Sequence, residues 1–189
     1  MLNTLAGIIA SSGGAAAGGD YESIATVTVG AGGASNVEFT GIPSTYKHLQ
    51  VRITSRDNRA TLVTNNLFVY INNDTATNYS YHLLNGDGSS ASADNGSNTD
   101  LMIAGTDAAS GATSGVMGVS VFDILDYANT NKYKTTRTLT GIDNNGSGVI
   151  RLWSGNWRNT NAITSLKFYP SSSATIQQYS SFALYGIKG

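Results

Sequence analysis

Residues 47–55 read KHLQVRITS, with Leu49, Val51 and Ile53 separated by Gln50 and Arg52. Side chains two apart share one face of an extended strand but not one face of a helix. This segment therefore gathers its apolar residues together only as a strand with one covered face. His48, Gln50, Arg52 and Thr54 then point outward. The same period, or a short apolar run bounded by turn residues, recurs from residue 21 onward. It predicts strands at 24–29, 35–39, 47–55, 67–72, 79–84, 100–105, 115–125, 135–142, 149–154, 163–170, 174–180 and 181–188. DNNGSG at 143–148 reads as a turn, and NGDGSSASADNGSN at 85–98 as a long exposed loop. No helical pattern follows residue 20, and no fixed-period repeat is present. The expected fold is all-β: an antiparallel β-sandwich of jelly-roll type in one domain over 21–189.

Residues 1–20 differ in character. Leu2, Leu5, Ile8 and Ile9 fall at helical spacing, and a Ser/Gly/Ala-rich stretch follows. This reads as a short docking arm, too small to hold a helix alone, joined to the domain by a flexible linker. It has no basic leader region and no clear cleavage site, so it is expected to be retained rather than removed as a signal peptide. No apolar run is long enough to span a membrane, so no membrane insertion is expected.

Charged residues make up 12% of the chain and the formal net charge is −1. An ordinary globular domain carries about 25% charged residues. Neither a nucleic-acid partner nor an acidic tail is signalled by this balance. The chain has no cysteine, which removes disulfides, thiolate metal sites and cysteine nucleophiles from consideration.

The residues offer little for catalysis. His48 and His82 both fall on predicted strands, and the only glutamates are Glu22 and Glu38. No nucleophile elbow, zinc-protease helix, phosphate loop or dinucleotide fingerprint occurs. Asp123 and Asp126 are better read as turn-capping residues than as an acid pair. The Asx-rich segments 72–78 and 143–148 hold calcium-type oxygens without the spacing of a calcium loop, and turns need the same residues. No catalytic residue, metal or cofactor is expected.

Two groups point to binding instead. RLWSGNWRN at 151–159 combines Trp153 and Trp157 with Arg151 and Arg158, a composition that holds glycans by stacking and hydrogen bonding. The competing reading places both tryptophans in the core. The segment SSFALYGIKG at 180–189 is apolar on both faces when extended, with Phe182 and Leu184 on one side and Tyr185 and Ile187 on the other. Such a strand needs cover on both sides, either from a second sheet or from a sister subunit. Phe182, Leu184, Tyr185 and Ile187 are thus candidates for an oligomer interface.

Three segments, YESIATVTVGAGGASNVEFTGIP (21–43), DILDYANTNKYKTTRTLTG (123–141) and QYSSFALYGIKG (178–189), resemble small virion proteins of tailed phages of aquatic bacteria, including cyanophages and marine phages. The likeness runs over most of the chain after residue 20. It implies a structural role in the virion: capsid decoration, a short head fibre or a tail-fibre-like part. The expected partners are other virion proteins met through the arm, sister copies in a homotrimer and, for a tail protein, a host surface glycan. No family catalytic residue exists to carry over.

Overall fold

The computed structural model describes residues 19–189. The docking-arm residues Leu2, Leu5, Ile8 and Ile9 lie outside the described residues. The described chain is all-β: β1 (Tyr21–Thr28), β2 (Val37–Phe39), β3 (His48–Ser55), β4 (Thr64–Ile71), β5 (Tyr79–Gly86), β6 (Ala91–Thr99), β7 (Met102–Ala108), β8 (Gly118–Leu125), β9 (Lys134–Asp143), β10 (Gly148–Trp157), β11 (Leu166–Pro170) and β12 (Ser181–Ile187). They form an eight-stranded sheet in the order β1-β12-β3-β8-β9-β10-β5-β6 and a four-stranded sheet in the order β2-β11-β4-β7, with every strand pair antiparallel.

The two orders decompose simply. Strands β1-β12-β3-β8 face β2-β11-β4-β7. Those eight strands are the two sheets of a jelly roll, with the chain crossing between layers at nearly every connection. Two hairpins are inserted into it: β5–β6 between β4 and β7, and β9–β10 between β8 and β11. Both join the same sheet and extend it by the run β9-β10-β5-β6.

Aromatic packing fills the space between the layers of the jelly roll. The Phe168 ring sits 6.2 Å from Phe39, 6.2 Å from Phe122 and 5.6 Å from Phe182, bringing β11, β2, β8 and β12 together. Around it lie Leu49, Val51, Val69, Ile71, Leu166 and Leu184, all buried. Under the extension the packing changes character. β9 turns Thr136, Thr138 and Thr140 inward, and all three are buried. The Ser120 hydroxyl donates to Thr140 Oγ1 at 2.8 Å, and the Thr106 N–H donates to the same oxygen at 3.1 Å. A Cβ on Gly105 would lie 2.2 Å from Ser120 Oγ, so β7 approaches the large sheet closely and only small side chains fit between them.

The turn expected at 143–148 closes β9 onto β10. Asn144 N–H donates to Ser147 O at 2.7 Å, and Asn145 and Gly146 take positive φ of 52° and 102°. That is the geometry Asn-Gly favours in a tight hairpin. Two expectations need correction. Residues 85–98 are not one long loop: Asp87–Ser90 form a turn, with the Asp87 carboxylate accepting from Ser89 N at 2.9 Å and Ser90 N at 2.7 Å, and Ala91–Thr99 pair along β5. An edge strand exposed on both faces needs no apolar residue, so the pattern carried no signal. Residues 174–180 form only isolated bridges at Ile176, to Ala34 and Asp57, before a turn in which Tyr179 has φ 72°.

Replacing Phe168 by alanine removes the ring that joins four strands; a loss of about 3–5 kcal/mol is expected. Urea unfolding of the variant checks it. A change under 1 kcal/mol would show that the ring is not central to the packing.

Candidate interaction surface

The structure separates the residues grouped for glycan binding. Inward positions of β10 are Arg151, Trp153, Gly155 and Trp157, because side chains alternate along the strand. Trp157 is buried, and its indole N–H donates to Asp74 Oδ2 at 2.7 Å. Trp153 is buried against the edge of Tyr81, with ring centroids 5.3 Å apart. Neither ring is free to stack on a sugar, so the glycan reading of these two tryptophans is corrected to core. Arg151 is half-buried and donates to Asn85 Oδ1 at 2.8 Å, Thr106 Oγ1 at 3.2 Å and Asn66 Oδ1 at 3.3 Å. Arg158 donates to Thr77 O at 2.6 Å and Asn98 Oδ1 at 2.7 Å, fastening the chain after β10 to the loop before β5 and the end of β6.

The doubly apolar strand β12 is covered mainly from within the chain. Phe182 and Leu184 are buried between the sheets and belong to the core rather than to an oligomer interface. Tyr185 and Ile187 face outward and are half-buried. Tyr185 lies 5.4 Å from the Tyr21 ring, and the Arg52 guanidinium sits 5.2 Å from one ring and 5.3 Å from the other. Next to this group Gln50 donates to Asp123 Oδ1 at 2.7 Å, and Arg137 pairs with Asp123 at 2.9 Å. Over β1, β12 and β3 the outer face of the jelly roll therefore carries this aromatic and polar group, linked to Asp123 of β8 and Arg137 of β9. Asp126, the other acid considered in the sequence, lies in the turn after β8 and pairs with Lys47 and Lys132.

Near one end of β7 two acids are buried together. Asp57 accepts from Arg59 N–H at 2.9 Å and from Asn65 Nδ2 at 2.6 Å. Asp107 accepts from the Ser55 hydroxyl, and its Oδ2 has no partner. Burial pushes the Asp107 carboxyl up to about 8, the Ser55 bond opposes this, and the Asp57 charge adds to it. Burial also raises Asp57. Among the described residues no group of three or more His, Cys, Asp or Glu is arranged to hold a metal ion.

The outer face over β8, β9, β10 and β5 is of a different kind. Leu84 is 57% exposed, Val119 53%, Leu139 53%, Ile150 61% and Leu152 43%. Strand register places them together. Val121, Leu139, Leu152 and Leu84 are successive cross-strand partners on β8, β9, β10 and β5. Two residues along, Val119, Gly141, Ile150 and Gly86 form the adjacent row. A shallow depression of about 320 Å³ lies between Leu84, Gly86, Leu139, Ile150 and Leu152. Another of about 250 Å³ lies between Val119, Val121, Leu139, Gly141 and Ile150. Sequence reading missed this face because single exposed leucines are ordinary. Only the register of four strands shows that they are neighbours.

No family model, no curated protein and no solved structure matches this chain.

Two outcomes follow. Trp157→Ala is expected to cost roughly 3–5 kcal/mol through the cavity it leaves, a change read by denaturant unfolding; an unaltered midpoint would return the ring to a surface role. For Asp107 the folded state keeps a proton that an unfolded aspartate releases near pH 4. Stability therefore falls as pH rises from about 4 to about 8. Asp107→Asn is expected to narrow the difference in melting temperature between pH 5 and pH 8. An equal difference in both proteins would show that Asp107 is ionised throughout.

Proposed function

We propose that this protein is a structural component of a tailed-phage virion, a capsid decoration or short head-fibre protein attached through residues 1–20. The observation that supports this most is the form of the enlargement. An eight-stranded jelly roll already has two layers and a packed core. The added strands present an outer face with a contiguous apolar patch at Leu84, Leu139, Ile150 and Leu152. That is a surface suited to packing against protein, since the largest contiguous apolar patch of a chain is often functional. Jelly rolls recur in viral capsid and lectin domains, an analogy of fold alone. The low charge suits a surface that must sit among many copies without binding indiscriminately.

A receptor-binding tail role is the alternative for the same fold. It loses support with its stacking residues, because Trp153 and Trp157 are buried. A glycan site would have to be built from other side chains.

Immunogold labelling of purified virions with an antibody against residues 21–189 tests the proposal. Label over the head is expected. Label confined to the tail would favour adhesion, and unlabelled virions would remove the virion reading altogether.

A further inference from the structure

We propose that the outer face of β8-β9-β10-β5 is a two-fold interface on which a second copy of this chain packs, sheet against sheet. The inference deepens the reading of this face as a protein-contact surface by naming its partner.

Three features of the face select a second copy. The first is the pair of glycines. Gly141 lies inside β9 and Gly86 is the last residue of β5; a glycine in a ladder weakens a sheet and often marks close approach of another group. Neither has a positive φ, and the chain itself leaves both open. A Cβ on Gly141 would meet only Val149 O at 3.6 Å, and one on Gly86 only Ile150 Cγ2 at 3.6 Å. Among the described residues nothing crowds a Cβ at either place.

The second feature is self-complementarity, which an interface with two-fold symmetry demands. Two sheets facing each other about 10 Å apart can be related by an axis parallel to their strands. Let that axis run midway between β9 and β10. Each strand then meets its mirror in the run: β9 meets β10, and β8 meets β5. In the row Val119–Gly141–Ile150–Gly86, Ile150 falls opposite Gly141 of the second copy and Val119 opposite Gly86 of the second copy. Every large side chain in that row meets a dent. In the row Val121–Leu139–Leu152–Leu84, Leu139 falls opposite Leu152, and Val121 opposite Leu84. The next row, Asp123–Arg137–Ser154–His82, brings Asp123 opposite His82 and Arg137 opposite Ser154, with no like charges facing.

The third feature is size. The apolar patch joins Leu84, Val119, Leu139, Ile150 and Leu152, each between 43% and 61% exposed, and the largest contiguous apolar patch of a chain is often functional. A standard interface buries roughly 800 Å² per partner, about 65% of it apolar in homodimers. The patch forms the apolar centre of such an interface, and the neighbouring rows of Thr135, Arg137, Ser154 and Asn95 supply a polar rim.

Sedimentation of the full chain over a range of micromolar concentrations is the test. A species of twice 19.7 kDa is expected. Gly141→Val puts a side chain in the dent, where its Cβ meets only Val149 O at 3.6 Å, so the variant is expected to keep its circular dichroism spectrum while its dimer dissociates at least tenfold more readily. A double variant, Val121→Cys with Leu84→Cys, gives a second and independent reading. These positions are three strands apart in one chain, about 14 Å, but face each other across two sheets packed about 10 Å apart. A disulfide reaches neither span, since it needs Cα atoms within about 7 Å. The chain has no other cysteine, so a bifunctional thiol reagent long enough for the gap between the sheets and too short for the span within one chain joins two copies. A covalent dimer with that reagent is expected.

A monomer at every concentration, a three-chain mass, or a dimer that Gly141→Val leaves intact and that the thiol reagent does not join would each overturn the inference. A monomer that nonetheless labels the virion would sink the second copy and keep the virion role. A dimer absent from virions would do the reverse.

Discussion

Register between β8, β9, β10 and β5 governs both faces of the large sheet at once. On β9 the inward set is Lys134, Thr136, Thr138, Thr140 and Ile142, and the outward set is Thr135, Arg137, Leu139, Gly141 and Asp143. A slip of one residue would exchange the sets. It would drive Arg137 and Leu139 against β7, where Gly105 and Ser120 already leave room for hydroxyls alone. Where β9 meets β7 the inside is thus closed by small polar side chains, while Leu139 of the same strand lies outside; β10 keeps Trp153 and Trp157 inside and turns Ile150 and Leu152 outward. Along β9 this inverts the usual arrangement of a half-buried strand. The inversion gives the outer face its character.

That inversion also marks where sequence reading stops. β3, β4 and β12 were legible because their apolar residues alternate or run together, and burial follows that pattern. The Asn-Gly turn before β10 was legible because few residues accept its backbone angles. β6 was not legible, since ASADNGSNT holds no apolar period and is fixed by its ladder to β5 alone. The tryptophans could be read two ways, because a Trp-rich strand has the same composition in a core or on a sugar-binding surface. Parity along β10 decides it: Trp153 and Trp157 share the inward side with Gly155, and Ile150 and Leu152 take the outward side. The apolar face needed four registers known together, which no single stretch of sequence contains.

The jelly roll and its extension divide the work. Within the jelly roll, Phe168 and its aromatic neighbours tie the layers, and the outer face carries the Tyr21–Arg52–Tyr185 group beside Gln50, Asp123 and Arg137. That surface is satisfied by its own contacts. The extension is held by backbone pairing and by buried hydroxyls, with Arg151 fastening β10 to β5 and β7. Its outward leucines neighbour one another, and among the described residues they stay 43–57% exposed. Exposed apolar surface disfavours the isolated molecule by roughly 25 cal/mol per Å², and a copy of the same face removes it from water.

The most direct measurement is the solvent accessibility of the methyl groups on this face. A soluble paramagnetic agent broadens the NMR signals of methyls that water can reach. Leu62, which is 38% exposed and lies away from the large sheet's outer face, serves as the reference. The account predicts that Leu84, Leu139, Ile150 and Leu152 are shielded at high protein concentration and broaden like Leu62 on dilution. Equal broadening of all five at every concentration would contradict it.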